Sequence, residues 1–124
     1  MPLILTEEQT MLKEAADGFL NENAPLTHLR KLRDSRDADG VSRDLWRAFG
    51  EMGLAGVIIP EAHGGAGLGA VEAGVVAESL GRTLTPSPFM GSAVLSARVL
   101  VEGGSGAQQA EWLPKIASGK ARIA

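Results

Sequence analysis

Residues 54 to 59, LAGVII, are the only strand-like run in the chain, and ten residues rich in glycine, PEAHGGAGLG, follow it directly. Within those ten, Gly65-Ala66-Gly67-Leu68-Gly69-Ala70 fits the dinucleotide fingerprint G-x-G-x-x-G/A. That fingerprint cradles a pyrophosphate only under three conditions: a strand feeds its first glycine, a helix follows it, and an acidic residue about 20 positions on holds the ribose. Here Pro60, Glu61, Ala62, His63 and Gly64 intervene before Gly65, and residues 85–90 read TPSPFM, without a carboxylate. The surrounding sequence is helical in pattern where a parallel sheet should lie. The segment therefore predicts a tight connection, in which backbone turns with φ > 0 or passes close to a neighbour.

The 124 residues suffice for one compact core, with roughly 60 to 70% of the unfolded surface buried on folding. Twelve Lys and Arg against fifteen Asp and Glu leave a net charge of -3, the wrong sign for a protein whose affinity rests on neutralising nucleic-acid phosphates. No cysteine is present, which excludes a disulfide framework, a thiolate nucleophile and a cysteine-ligated metal and fits a cytoplasmic location. Glu7 and Glu8 end the apolar run of the N-terminus too early for a secretory signal. The stretch Thr83 to Val101 carries only Arg98 as a charge, but its Thr, Ser, Pro and Gly content spoils it as a membrane span.

The remaining pattern is all-α, with about six helices. Thr6-Glu7-Glu8-Gln9 is a capping box, and Met11, Leu12, Ala15, Ala16, Phe19 and Leu20 form an apolar stripe after it. Asn23 and Pro25 end that helix. A short amphipathic helix follows over Leu26 to Ser35, on which Arg30, Lys31, Arg33 and Arg36 read either as a solvated face or as an anion site. Ser42 can cap a third helix that carries Leu45, Trp46, Phe49 and Met52, with Trp46 read as core and Gly53 as a left-handed C-cap. Val71 to Leu80 is expected to be a helix closed by Gly81. Phe89 to Val101 is expected to be a helix apolar nearly all round, with Phe89, Met90, Ala93, Val94, Ala97 and Leu100 on one side and Leu95 and Val99 on the other. Ser105 caps the last helix, which Trp112-Leu113-Pro114 is expected to kink before Gly119 stops it.

Chemistry is scarce. His63 lies two residues from Glu61, yet no Ser or Cys nucleophile belongs with it, and with His28 the only other histidine no metal site takes shape. His63 reads as structural or exposed, and no pair of carboxylates has a spacing that commits it to acid and base work. No catalytic, cofactor-binding or metal-ligating residue is expected in this chain.

Taken in order, the segments LTEEQTMLKEAADGF, LWRAFGEMGLAGVIIPEAHGGAGLG, EAGVVAESLGRTL and QAEWLPKIASGKARIA resemble the N-terminal helical domain of the acyl-CoA dehydrogenase family. The middle segment is similar to the family's helix ending in GL, apolar step and P-E-x-x-G-G-x-G-L, followed by a helix ending in E-x-L-G-R. The resemblance implies an orthogonal or up-down bundle occupying residues 1–124, with a flavin-binding β-domain and a C-terminal helical domain absent from this chain. It further implies an oxidoreductase that removes the α-proton and β-hydride of an acyl-CoA thioester, with FAD as acceptor and an electron-transfer flavoprotein as partner. The full enzyme is expected to be a homo- or hetero-oligomer, and this chain by itself to bind no FAD and to be inactive. By the same resemblance the fifth helix is one wall of the acyl pocket, which places Phe89, Met90, Ala93, Val94 and Ala97 at the substrate tail. The alternative is that these residues pack against other helices or the absent domains. Exposed apolar surface on this helix and around Trp112 is expected to drive self-association. Two other readings compete: a non-catalytic subunit of a heteromeric dehydrogenase, and a free-standing helical interaction module.

Overall fold

The structure, a computed structural model, describes residues 4–124. Six helices and a one-turn 3₁₀ segment account for the regular structure of the described residues, and no strand occurs among them. Helix α1 spans Glu7–Asn23 and starts as the capping box requires: the Gln9 amide donates to the Thr6 hydroxyl at 3.2 Å, and the Thr6 amide donates to the Gln9 side chain at 2.9 Å. Helix α2 (Leu26–Asp34) buries none of its residues, and Arg30, Lys31, Arg33 and the following Arg36 are exposed. Helix α3 (Arg43–Glu51) is capped by Ser42, whose hydroxyl accepts from the Leu45 amide at 3.1 Å. Gly53, at φ 82, then turns the chain as a left-handed cap.

Helix α4 covers Ala70–Arg82. Gly81 does not close it. The helix runs one residue further and ends in two hydrogen bonds, Leu84 amide to Gly81 carbonyl and Thr85 amide to Leu80 carbonyl, with Leu84 itself at φ 49. That is the turn in which glycine normally takes the left-handed position. Helix α5 is one rod wound in two ways, a π-wound half Phe89–Ser96 and an α-wound half Ala97–Gly103. Helix α6, Gly106–Ala117, is continuous through Pro114, the position of the expected kink.

The core has two parts. In the larger, Ala16 and Leu20 of α1, Trp46 and Phe49 of α3, and Val76 and Leu80 of α4 meet Phe89 and Ala93 of α5. Phe49 is its centre: Trp46 stacks on it at 5.4 Å and Phe89 meets it edge-on at 6.1 Å. Trp46 is thus core. In the smaller part Ile59 and Ala97 pack on Leu113, Ile116 and Ala117 of α6.

The strand-like run Leu54 to Ile59 forms no strand, in keeping with the all-α class: a strand needs a neighbour to pair with, and none occurs among the described residues. The segment is a chain of buried turns between the two core parts, and its carbonyls are satisfied by the glycine loop that follows. Gly56 accepts from Ala66 at 2.9 Å, Val57 from Leu68 at 2.9 Å and Ile59 from Gly67 at 2.9 Å. Gly65 is pressed so closely to Ile59 that any Cβ there would run into the Ile59 carbonyl oxygen.

A groove between α4 and α5

The candidate site is the seam where α4 and α5 lie side by side over this loop. Ala70, Ala73, Gly74 and Ala77 of α4 face Met90, Val94 and Arg98 of α5, with Ile58 and Leu68 at the loop side, around an open groove of about 600 Å³. The groove exists because the α4 side is built from small residues at positions i, i+3, i+4 and i+7, which share one helix face. A Cβ on Gly74 would meet nothing within 4 Å. Larger side chains at these positions would fill the seam.

Part of α5 is π-wound, and Ala97 donates to the Ser92 carbonyl, five residues back. Phe89, Ala93 and Ala97 are all buried in the core, Met90, Val94 and Arg98 line the groove, and Leu95 and Val99 point away, 61% and 69% exposed.

Of the five residues expected at the acyl tail, then, Met90 (55% exposed) and Val94 open to the groove. Phe89, Ala93 and Ala97 lie beneath them, packed on other helices. The groove's α4 side is absent from that set. The signal for it was in the sequence, as the small residues Ala70, Ala73, Gly74 and Ala77, but small residues in a helix announce only that something passes close, not what.

Polar bonds hold the groove's open end. Glu72 accepts from the Gly69 amide at 3.1 Å and from the Gln9 side chain at 3.1 Å, tying the start of α4 to α1. The Gln9 hydrogen bond, with the backbone bonds behind it, keeps the Glu72 carboxyl below its ordinary value of 4.5. At the other end of the α1–α4 seam Asp17 takes Lys13 at 2.7 Å and Arg82 at 3.4 Å, and the Lys13 bond above all lowers its carboxyl from 3.8.

The glycine loop contributes no anion cradle. Its amides are already engaged: Gly64 on Glu61, Gly65 on Pro60, Ala66 on Gly56, Gly67 on Ile59, Leu68 on Val57 and Gly69 on Glu72. A phosphate would find no free donor there. His63 is half-buried at the end of a one-turn 3₁₀ segment, Glu61–His63, with Glu61 exposed, and no group of three or more metal-ligating side chains occurs among the described residues. Nor is any described helix long and apolar enough to cross a membrane.

The described residues thus form an all-α bundle with an apolar groove between α4 and α5. Residues 6–120 match the family described as acyl-CoA dehydrogenase, N-terminal domain, and the chain belongs to that family. Among its relatives is (2S)-methylsuccinyl-CoA dehydrogenase of Cereibacter sphaeroides, 36% identical over 94% of this chain and 21% of that protein. In the ChsE4-ChsE5 complex of Mycobacterium tuberculosis a chain 30% identical superposes with a TM-score of 0.85, over 97% of this chain and 32% of the other. An acyl-CoA dehydrogenase of Bacillus anthracis complexed with FAD, 27% identical, gives 0.81 over 99% of this chain and 21% of that one. The chain thus spans between a fifth and a third of the length of these relatives.

Proposed function

We propose that these residues serve as the N-terminal domain of an FAD-dependent acyl-CoA dehydrogenase acting in the cytoplasm. In this reading the enzyme oxidises the α,β-bond of an acyl-CoA thioester and passes the electrons to an electron-transfer flavoprotein. The domain supplies a wall for the acyl tail and surfaces for the other domains. The observation that carries the reading is the apolar groove lined by Met90 and Val94 against Ala73, Gly74 and Ala77, of the size of a small-molecule site. Phe89, Ala93 and Ala97 act as the packed backing of that wall.

In this reading the flavin's contacts and the base that takes the α-proton belong outside this domain; the one loop here with a nucleotide-like pattern has its amides engaged. What the chain's own residues do is hold an apolar tail out of water and fix its direction relative to the rest of the protein.

The test is made on the full-length protein that carries this domain. Gly74→Leu should fill the groove without touching the core, raising KM for long-chain acyl-CoA at least about tenfold while kcat on a short-chain substrate holds. Unchanged KM across chain lengths would remove the groove from the substrate path, and a purified protein that neither retains flavin nor is bleached by any acyl-CoA would end the enzyme reading. A heteromeric arrangement is the second reading, favoured by the likeness to a chain of the ChsE4-ChsE5 complex. It predicts that flavin bleaching appears only when a second, homologous subunit is co-expressed.

A further inference from the structure

The groove is apolar except at one place. Arg98 is the only charged side chain on its lining among the described residues, two four-residue steps along α5 from Met90. Its guanidinium is exposed and engaged only by Glu102, one turn on, at 2.7 Å. Exposed pairs of this kind contribute little, and a guanidinium holding one carboxylate oxygen still has N–H groups to offer. A purely apolar tail gains nothing from a cation at the end of its channel. A tail that ends in a carboxylate gains a planar, charge-assisted partner of matching geometry.

Resting on the groove as the acyl site, we propose that Arg98 selects an acyl chain carrying a carboxylate at its far end, that is, the monothioester of a dicarboxylic acid. The apolar residues between Met90 and Arg98 accommodate the methylenes, and the guanidinium takes the terminal anion. Glu102 acts as a built-in competitor: it holds the guanidinium over the groove's end and must give up part of its contact when the ligand arrives. A single cation suits one carboxylate. The several phosphate charges of coenzyme A would call for more cations than the groove lining holds.

The experiment titrates the full-length protein that carries this domain, ¹⁵N-labelled in these residues alone, with three probes: the N-acetylcysteamine monothioester of octanedioic acid, octanoyl-N-acetylcysteamine, and free coenzyme A. Backbone amides from Ala70 to Ala77 report occupation of the groove, and the Arg98 Nε resonance reports the cation. The diacid monothioester should bind about tenfold more tightly than the octanoyl probe and shift Arg98 Nε, whereas the octanoyl probe should move the groove amides alone. Arg98→Gln should bring both probes to the same affinity, Arg98→Lys should keep part of the preference, and Glu102→Gln should strengthen the diacid probe about two- to threefold with no effect on the octanoyl one. Equal binding of the two thioesters to the unaltered chain, or a preference that survives Arg98→Gln, overturns the proposal while leaving the groove as the acyl site. Coenzyme A shifting Arg98 Nε as strongly as the diacid assigns the cation to phosphate and also overturns it. If neither thioester moves the amides of Ala70 to Ala77, the acyl reading of the groove fails, and this inference with it.

Discussion

Helix α5 has a groove on each side, and they differ in kind although their volumes, about 600 and about 630 Å³, are nearly the same. The first is walled by two helices and floored by a loop whose backbone bonds are complete. The second lies between Leu95, Val99 and Leu100 of α5, Trp112 of α6 and the tail residues Arg122, Ile123 and Ala124. Its tail wall is held by few contacts: the Ile123 amide donates to the Ser92 hydroxyl at 2.7 Å, that hydroxyl donates back to the Ile123 carbonyl at 2.9 Å, and Arg122 reaches Asp39 at 3.7 Å. Volume alone does not separate them. The first is a recess that small residues keep open, whereas the second is an apolar surface with large, exposed side chains, the kind that associates with other protein.

The largest effect should come from the floor of the first groove. Gly65→Ala forces a Cβ into the Ile59 carbonyl and should cost about 3 kcal/mol, at the top of the range for ordinary single substitutions. The urea midpoint reads it, and a loss within 0.5 kcal/mol, the scatter of neutral surface changes, would show that the loop gives way. On the second side, Leu95→Glu with Val99→Glu should lower self-association of the chain at least about tenfold, as followed by sedimentation. The same pair should leave binding in the first groove as it was. If octanoyl-thioester binding falls instead, the two sides of α5 are not independent and the contrast between them collapses.

Smaller in size but sharper is a pair of glycine replacements. A Cβ meets nothing within 4 Å at Gly18 of α1 or at Gly74 of α4, so Gly18→Ala and Gly74→Ala should each stabilise the fold by up to about 1 kcal/mol. Only the second should weaken acyl binding. The smallest effect is electrostatic and lies in the α1–α4 seam. Asp17 has its carboxyl lowered from 3.8, so the folded state binds that proton less readily than the unfolded chain. The stability this contributes is complete above pH 3.8 and is lost as the pH falls through the depressed folded value. Asp17→Asn should therefore lower stability at pH 7 slightly and flatten its loss in acid; an unchanged acid limb in thermal melts would assign that slope to other groups, Glu72 first among them.

Much of the fold was legible in the sequence because its signals are local. Thr6 with Gln9, Ser42 with Leu45 and Ser105 with Gln108 cap helices through atoms three residues apart, and no distant part of the chain is needed to make those bonds. The order of segments likewise pointed to the right family. LAGVII is strand-like because apolar, β-branched residues suit any buried extended backbone, yet in an all-α chain it has no strand to pair with and folds as buried turns. Gly81 looks like a helix stop, but the chain continues one residue and places Leu84 in the left-handed position instead, 58% exposed.

By itself, the sequence determined that this chain is a helical bundle, where most of its helices begin, and that its glycine segment is a tight connection rather than a nucleotide site. Those are matters of capping, periodicity and flanking residues, all settled within a few positions along the chain. Which side chains of α5 face the groove was decided only in the tertiary structure. The helical period groups Phe89, Met90, Ala93, Val94 and Ala97 on one side, and packing divides them into a buried row and an open one, the latter ending in Arg98. That division depends on which distant parts of the chain lie against the helix, which no local rule contains.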